Sequence, residues 1–87
     1  MSQTKIFETD RGYATEDVDA QKFHIFESTI RDYDGIKDKD FNETVISYGS
    51  GLYQSWATTG YFARYDDRYK GRDNALAQVK AELHIDA

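Results

Sequence analysis

Hydrophobic and polar positions alternate in short blocks along this chain, and the blocks predict its elements. "TKIFET", Thr4 to Thr9, is a brief β-prone run, and Gly12 in "DRGYATED" marks a turn. Thr15, followed by Glu16 and Asp17, has the form of a helix start. A hydroxyl cap with acids in the first turn satisfies and complements the free N–H groups there. Phe23, Phe26, Ile30 and Tyr33 then recur at intervals of three, four and three, one helical stripe, and Gly35 can close that helix in a left-handed conformation. A competing reading stays open, because "KFHIFESTI" is rich in β-formers.

"DGIKDKDFNE" is polar and charged and reads as a loop. "TVISY", Thr44 to Tyr48, is a strand, Gly49-Ser50-Gly51 a turn, and "LYQSWA", Leu52 to Ala57, a second strand. Thr58-Thr59-Gly60 has the form of a tight hairpin loop before a third strand, "YFARY", Tyr61 to Tyr65. Asp73 is a good N-cap, and Leu76, Val79 and Leu83 form a narrow helical stripe with Ala75 beside it. The predicted order is β-α-β-β-β-α. It describes an α+β fold, one domain over residues 1–87. A three-stranded antiparallel meander plus a short N-terminal strand packs against two helices.

Strand alternation assigns the aromatic side chains to faces. The stretch Tyr48 to Tyr69 holds seven aromatic residues in twenty-two positions, more than the other sixty-five together. Two helical stripes can cover only one face of a small sheet. Leu52, Trp56 and Phe62 are the more apolar set and are expected inward, which turns Tyr53, Tyr61 and Tyr65 outward. Outward tyrosines can simply pair across strands, yet tyrosine is also enriched at binding hot spots.

Composition narrows the classes. The chain has 87 residues and no cysteine, so neither a disulfide nor a thiolate metal site supports the fold. No apolar run has the length of a membrane span and the N-terminus lacks a secretion signal, so a cytoplasmic protein is expected. The net charge is −5, all of it carried by residues 1–43. An acidic field repels phosphate and attracts basic protein surfaces, so direct nucleic-acid binding is disfavoured.

Candidate chemistry is sparse. In "DYDGIKDKDFNE", Asp32, Asp34, Asp38, Asp40 and Glu43 partly match a calcium loop, but Lys37 stands where the turn glycine belongs and one ligand is missing. His24 and His84 have no metal-like spacing, and no serine lies in a nucleophile motif. No catalytic residue, metal or cofactor is therefore assigned. "ARYDDRYKGR" interleaves Arg64, Arg68, Lys70 and Arg72 with Tyr65 and Tyr69, as nucleic-acid-binding surfaces do. Its meander-then-helix order resembles the arm-type domains of phage integrases, against which stand Asp66 and Asp67 in the middle of the patch.

Small size, acidity, absence of cysteine and richness in tyrosine resemble the small inhibitor proteins of bacteriophages and mobile elements, anti-CRISPR proteins among them. "GSGLYQSW", Gly49 to Trp56, is similar to a segment of a type I anti-CRISPR protein. The resemblance implies a non-catalytic inhibitor in the host cytoplasm that binds a host protein or nucleoprotein complex with a basic surface. Asp32, Asp34, Asp38, Asp40 and Glu43 would make the charged contacts, and Tyr53, Tyr61 and Tyr65 the apolar anchor. The second reading is a structural or accessory module whose tyrosine face pairs with a like chain as a homo-oligomer.

Overall fold

Phe23 and Ile25 alternate with His24 and Phe26, and that period of two governs what the chain does after residue 12. The structure, a computed structural model, describes residues 3–33, 36–58 and 60–85, and for 29–33 and 36–40 the backbone alone. Among the described residues six strands follow one another: β1 (Gln3–Thr9), β2 (Gly12–Asp17), β3 (Lys22–Tyr33), β4 (Ile36–Ser47), β5 (Leu52–Ala57) and β6 (Gly60–Tyr65). Each is antiparallel to the next, in one sheet ordered β1-β2-β3-β4-β5-β6. A 3-10 turn, Asp67–Tyr69, leads into the helix α1 (Arg72–Glu82).

The expected α+β arrangement with a three-stranded meander and two helices is therefore overturned: the sheet has six strands, and one α-helix follows it. The residues expected to form the first helix are β2, a turn and β3. Thr15 and Glu16 are strand residues opposite His24 and Phe23. Asp17 caps the turn instead of a helix, its carboxylate accepting the Ala20 N–H at 3.1 Å. Phe23 and Ile25 are fully buried on one face, whereas Phe26 belongs to the other. Burying each such side chain contributes roughly 1.5–3 kcal/mol.

The expected loop over "DGIKDKDFNE" falls largely on β4. β3 and β4 pair from Lys22↔Ser47 out to Tyr33↔Ile36. β2 stops pairing at Glu27 and β5 at Asn42, so the outer part of this hairpin extends past its neighbours as a two-stranded ribbon. It lies beyond the sheet's core, so its sequence carries no apolar alternation to betray a strand. The molecule is correspondingly long, 44 × 27 × 24 Å.

The helix reads much as its sequence suggests. Ala75, Val79 and Leu83 are buried, and Leu76 packs at the margin. Its cap is Gly71, not Asp73, and the Gly71 N–H donates to the Tyr48 carbonyl at 2.8 Å. Ala14, Phe23, Ile25, Ile46, Tyr48 and Tyr69 complete the core with the helix. The helix and the 3-10 turn thus cover one face of the sheet.

Candidate functional site

Cross-strand partners share a face, so the register reports what the other face carries. One row crosses all six strands as Glu8, Tyr13, Phe26, Glu43, Trp56 and Tyr61. Its positions alternate with Ala14, Ile25 and Thr44, which belong to the helix face. Tyr13 and Phe26 stack with centroids 5.0 Å apart, and Trp56 and Tyr61 meet at 5.3 Å. His24, one row away, lies parallel to the Phe26 ring at 6.3 Å. Tyr13 is 38% exposed, Trp56 39% and Tyr61 57%. Phe41 and Tyr65 add exposed rings on the same face. Val45 on this face is buried without a helix above it, flanked in register by the larger His24 and Gln54.

Two contacts orient the row. The Gln54 amide donates to the Tyr61 hydroxyl at 3.2 Å, and the Lys5 ammonium stands 5.3 Å from the centre of the Tyr13 ring. Glu8, paired with Lys5 at 3.5 Å, ends the row and Glu43 divides its rings, so the stripe is aromatic and acidic at once. Carboxylates and ring faces both attract cations, which suits a surface that meets arginine or lysine.

The expected site residues separate. Tyr61 and Tyr65 face outward as expected, at 57% and 72% exposure. Tyr53 does not: it lies opposite Ile46 on the helix face, stacks on Tyr69 at 4.8 Å and donates its hydroxyl to Glu82 at 2.9 Å. Burial and the Glu82 charge push its pKa up, so it stays a neutral donor. Trp56 and Phe62, expected inward, are instead exposed, and on opposite faces. The hairpin pairs Ala57 with Gly60 around two residues, one fewer than the expected loop. That one-residue difference in register exchanges the faces.

Glu43 lies in the aromatic row. Asp32, Asp38 and Asp40 are strand residues of the ribbon, and Asp34 lies outside the described residues. In register Asp32 stands opposite Lys37, and Asp38 opposite Arg31, so the ribbon alternates signs instead of concentrating negative charge. The described backbone is not that of a calcium loop: five extended residues separate Glu43 from Asp38 by about 17 Å. Among the described residues no group of three potential ligands converges on a metal position.

The basic stretch is largely occupied internally. Arg68 grips Asp66 at 2.9 Å, and its hydrogen bonds push the pKa of that half-buried carboxyl down to about 2. Arg72 reaches back to Glu16. Arg64 donates to the Tyr69 hydroxyl at 2.7 Å, with the rings of Tyr53 and Phe62 nearby. These side chains do not form one phosphate-binding track.

A second cluster lies near the end of α1, where Arg11, Glu27, Asn42, Glu82 and His84 line an open cleft of ≈ 350 Å³. Glu27 is buried, and the Arg11 guanidinium approaches it at 3.5 Å. Burial, then the neighbouring Glu82 charge, raise its pKa above the usual 4.5. The folded state therefore holds this proton more tightly than the unfolded chain does. Its contribution to stability falls as pH rises from the ordinary carboxylate value through the raised one. Glu27→Gln is expected to raise neutral-pH stability by about 0.5 kcal/mol. Thermal melts across pH check this: the gain should vanish below the ordinary carboxylate range.

Tyr13, Phe26 and Trp56 escaped the sequence reading of the site. The alternation within "FHIF" and "LYQSWA" held the signal, but the face of each strand depended on registers that only pairing reveals. No helix among the described residues is long and apolar enough to cross a membrane. Comparison of the chain with protein-family models, with curated proteins and with solved structures finds no match.

Proposed function

We propose that this chain is a non-catalytic binding protein, an inhibitor of the anti-CRISPR kind its sequence resembles. It covers a basic, nucleic-acid-holding surface of a host protein or nucleoprotein complex. The observation that carries this reading is the uncovered row Tyr13, Phe26, Trp56 and Tyr61, with Glu43 among the rings and Glu8 at its end. Rings receive guanidinium groups by cation–π contact, and the carboxylates pair with them. Phosphate would meet those same two carboxylates, and a chain of net charge −5 repels it, so a nucleic acid fits this face poorly. The ribbon's aspartates serve as a flank, since lysine and arginine stand opposite two of them.

The test is affinity capture with the tagged chain from bacterial lysate, followed by binding measurements on the purified partner. Trp56→Ala and, at the sheet edge, Tyr61→Ala should each weaken binding about 30-fold, the scale of aromatic hot spots. Their melting temperatures report whether the fold survives. Glu43→Gln should lower the salt dependence of binding. If replacing Asp32, Asp34, Asp38 and Asp40 by asparagine costs more than Trp56→Ala does, the ribbon is the contact surface and the open face is not. Failure to recover any nucleic-acid-handling complex from lysate containing one would overturn the inhibitor reading.

A further inference from the structure

The two edges of the sheet are built differently. β1 is guarded: a bulge between Lys5 and Phe7 breaks its register, and charged Lys5 and Glu8 stand exposed on it. Bulges and edge charges prevent strand addition. β6 has no bulge, and its one charge, Arg64, is turned to the helix face, where it donates to the Tyr69 hydroxyl. The strand pairs regularly from Gly60 to Tyr65, and all six of its residues are exposed.

The hairpin fixes which of its backbone groups are free. With Ala57 and Gly60 closing a two-residue connection, they form the first hydrogen-bonded pair, and Phe62 and Arg64 follow in alternation. Tyr61, Ala63 and Tyr65 therefore direct N–H and C=O away from β5. Among the described residues no backbone group pairs with them, so they form a template for another strand.

From this edge we infer that β6 binds β6 of a second copy, antiparallel about a twofold axis through Ala63, which joins two sheets into one. The strand is self-complementary for this operation. Only the register centred on Ala63 uses all three outward-directed residues of both copies, pairing Tyr61 with Tyr65 of the second copy and Ala63 with itself. Both tyrosines lie on the open face, so the operation brings rings beside rings there, and the smallest side chain occupies the axis. On the other face Phe62 meets Arg64 of the second copy, a ring against a cation, and no like charges stand opposite. There the helix leaves room: Tyr53, Ser55, Phe62 and Arg64 line an open cleft of ≈ 440 Å³ beside β6. An isologous contact of this kind closes as a dimer. The inference does not depend on the inhibitor reading, because it concerns an edge and uses this chain alone.

Sedimentation equilibrium of the full chain, taken to millimolar concentration, tests it. The mass should rise from one chain to two and stop. Hydrogen exchange at the amides of Tyr61, Ala63 and Tyr65 should slow as concentration rises, whereas Phe62 and Arg64 stay protected throughout. Ala63→Glu sets two carboxylates face to face on the axis and should weaken the dimer about fivefold. Mixing it with Ala63→Lys should restore the dimer as a heterodimer, which also shows that both variants fold. A single-chain mass at every concentration overturns the inference. So does an open-ended size series, which would mean β6 adding to β1, and so does a dimer indifferent to Ala63→Glu.

Discussion

Gly12→Ala is expected to lower stability by about 3 kcal/mol or more, the scale of a backbone collision in a sheet interior. Gly12 is the first residue of β2 and lies between Thr9 of β1 and Glu27 of β3. Its φ is +157°, and a Cβ built there would collide with the carbonyl oxygen of Phe26 and come within 3.0 Å of the Glu27 Cα. Those are backbone atoms in the middle of a ladder, so no side chain can swing aside. Relief requires β3 to move, and β3 holds Phe23 and Ile25 in the core. Gly60 supplies the control. Its φ is +145°, yet nothing lies within 4 Å of where a Cβ would stand. Gly60→Ala meets only the backbone preference, about 1 kcal/mol. Chemical denaturation of both variants separates close approach from conformational preference, and equal losses would refute the argument.

Arg72→Ala is expected to lower stability clearly at neutral pH and little at acid pH. Glu16 projects from β2 into the helix face with its side chain only 6% exposed. Arg72, the first residue of α1, donates to both of its oxygens at 2.8 Å, and the Tyr48 hydroxyl adds a bond at 2.9 Å. Truncating Arg72 leaves a buried carboxylate with Tyr48 alone, and breaking a buried pair this way is strongly destabilising. The guanidinium is half-exposed and water can partly replace it, which keeps the cost below that of a fully buried pair. The Arg72 hydrogen bonds are the largest cause of a Glu16 pKa below its usual value, offset in part by burial. A depressed carboxylate contributes stability above the ordinary carboxylate range and loses it as pH falls through the folded value. The gap between wild type and Arg72→Ala should therefore close on acidification. Adding Glu16→Gln to Arg72→Ala should recover part of the loss, because a neutral amide costs less to bury than a charge. Urea titrations at neutral and acid pH measure both; a gap independent of pH would rule out the ion pair as its source.

The two variants probe the same architectural fact from opposite sides. Gly12 shows how tightly β2 and β3 lie against each other. The Glu16–Arg72 pair joins that sheet to a helix 56 residues further along the chain. Neither relation leaves a local trace. "TEDVDA" reads as a helix cap and first turn because a hydroxyl followed by acids does suit free N–H groups. In the fold Glu16 answers Arg72, and Asp17 answers Ala20.

The open face carries the same lesson for the site. Tyr61 and Tyr65 were legible as outward residues because alternation within one strand is a local property. Tyr53 and Trp56 exchanged roles because the hairpin connection is two residues long, and every side chain on β5 follows that register. The aspartates of the ribbon were legible as charges, but their cross-strand neighbours Lys37 and Arg31 were not.

By itself, the sequence determined the chain's charge, its lack of cysteine, the two C-terminal strands of the sheet and the buried stripe of α1. Each of these rests on composition or on contacts between near neighbours. Only the tertiary structure decided between helix and strand for residues 15–33, since the 3-4-3 spacing of Phe23, Phe26, Ile30 and Tyr33 fits a helix locally. The sheet prevails because Phe23 and Ile25 bury completely between the strands beside them and the helix above. It likewise decided which rings face outward, through a register that exists only once β5 and β6 have met.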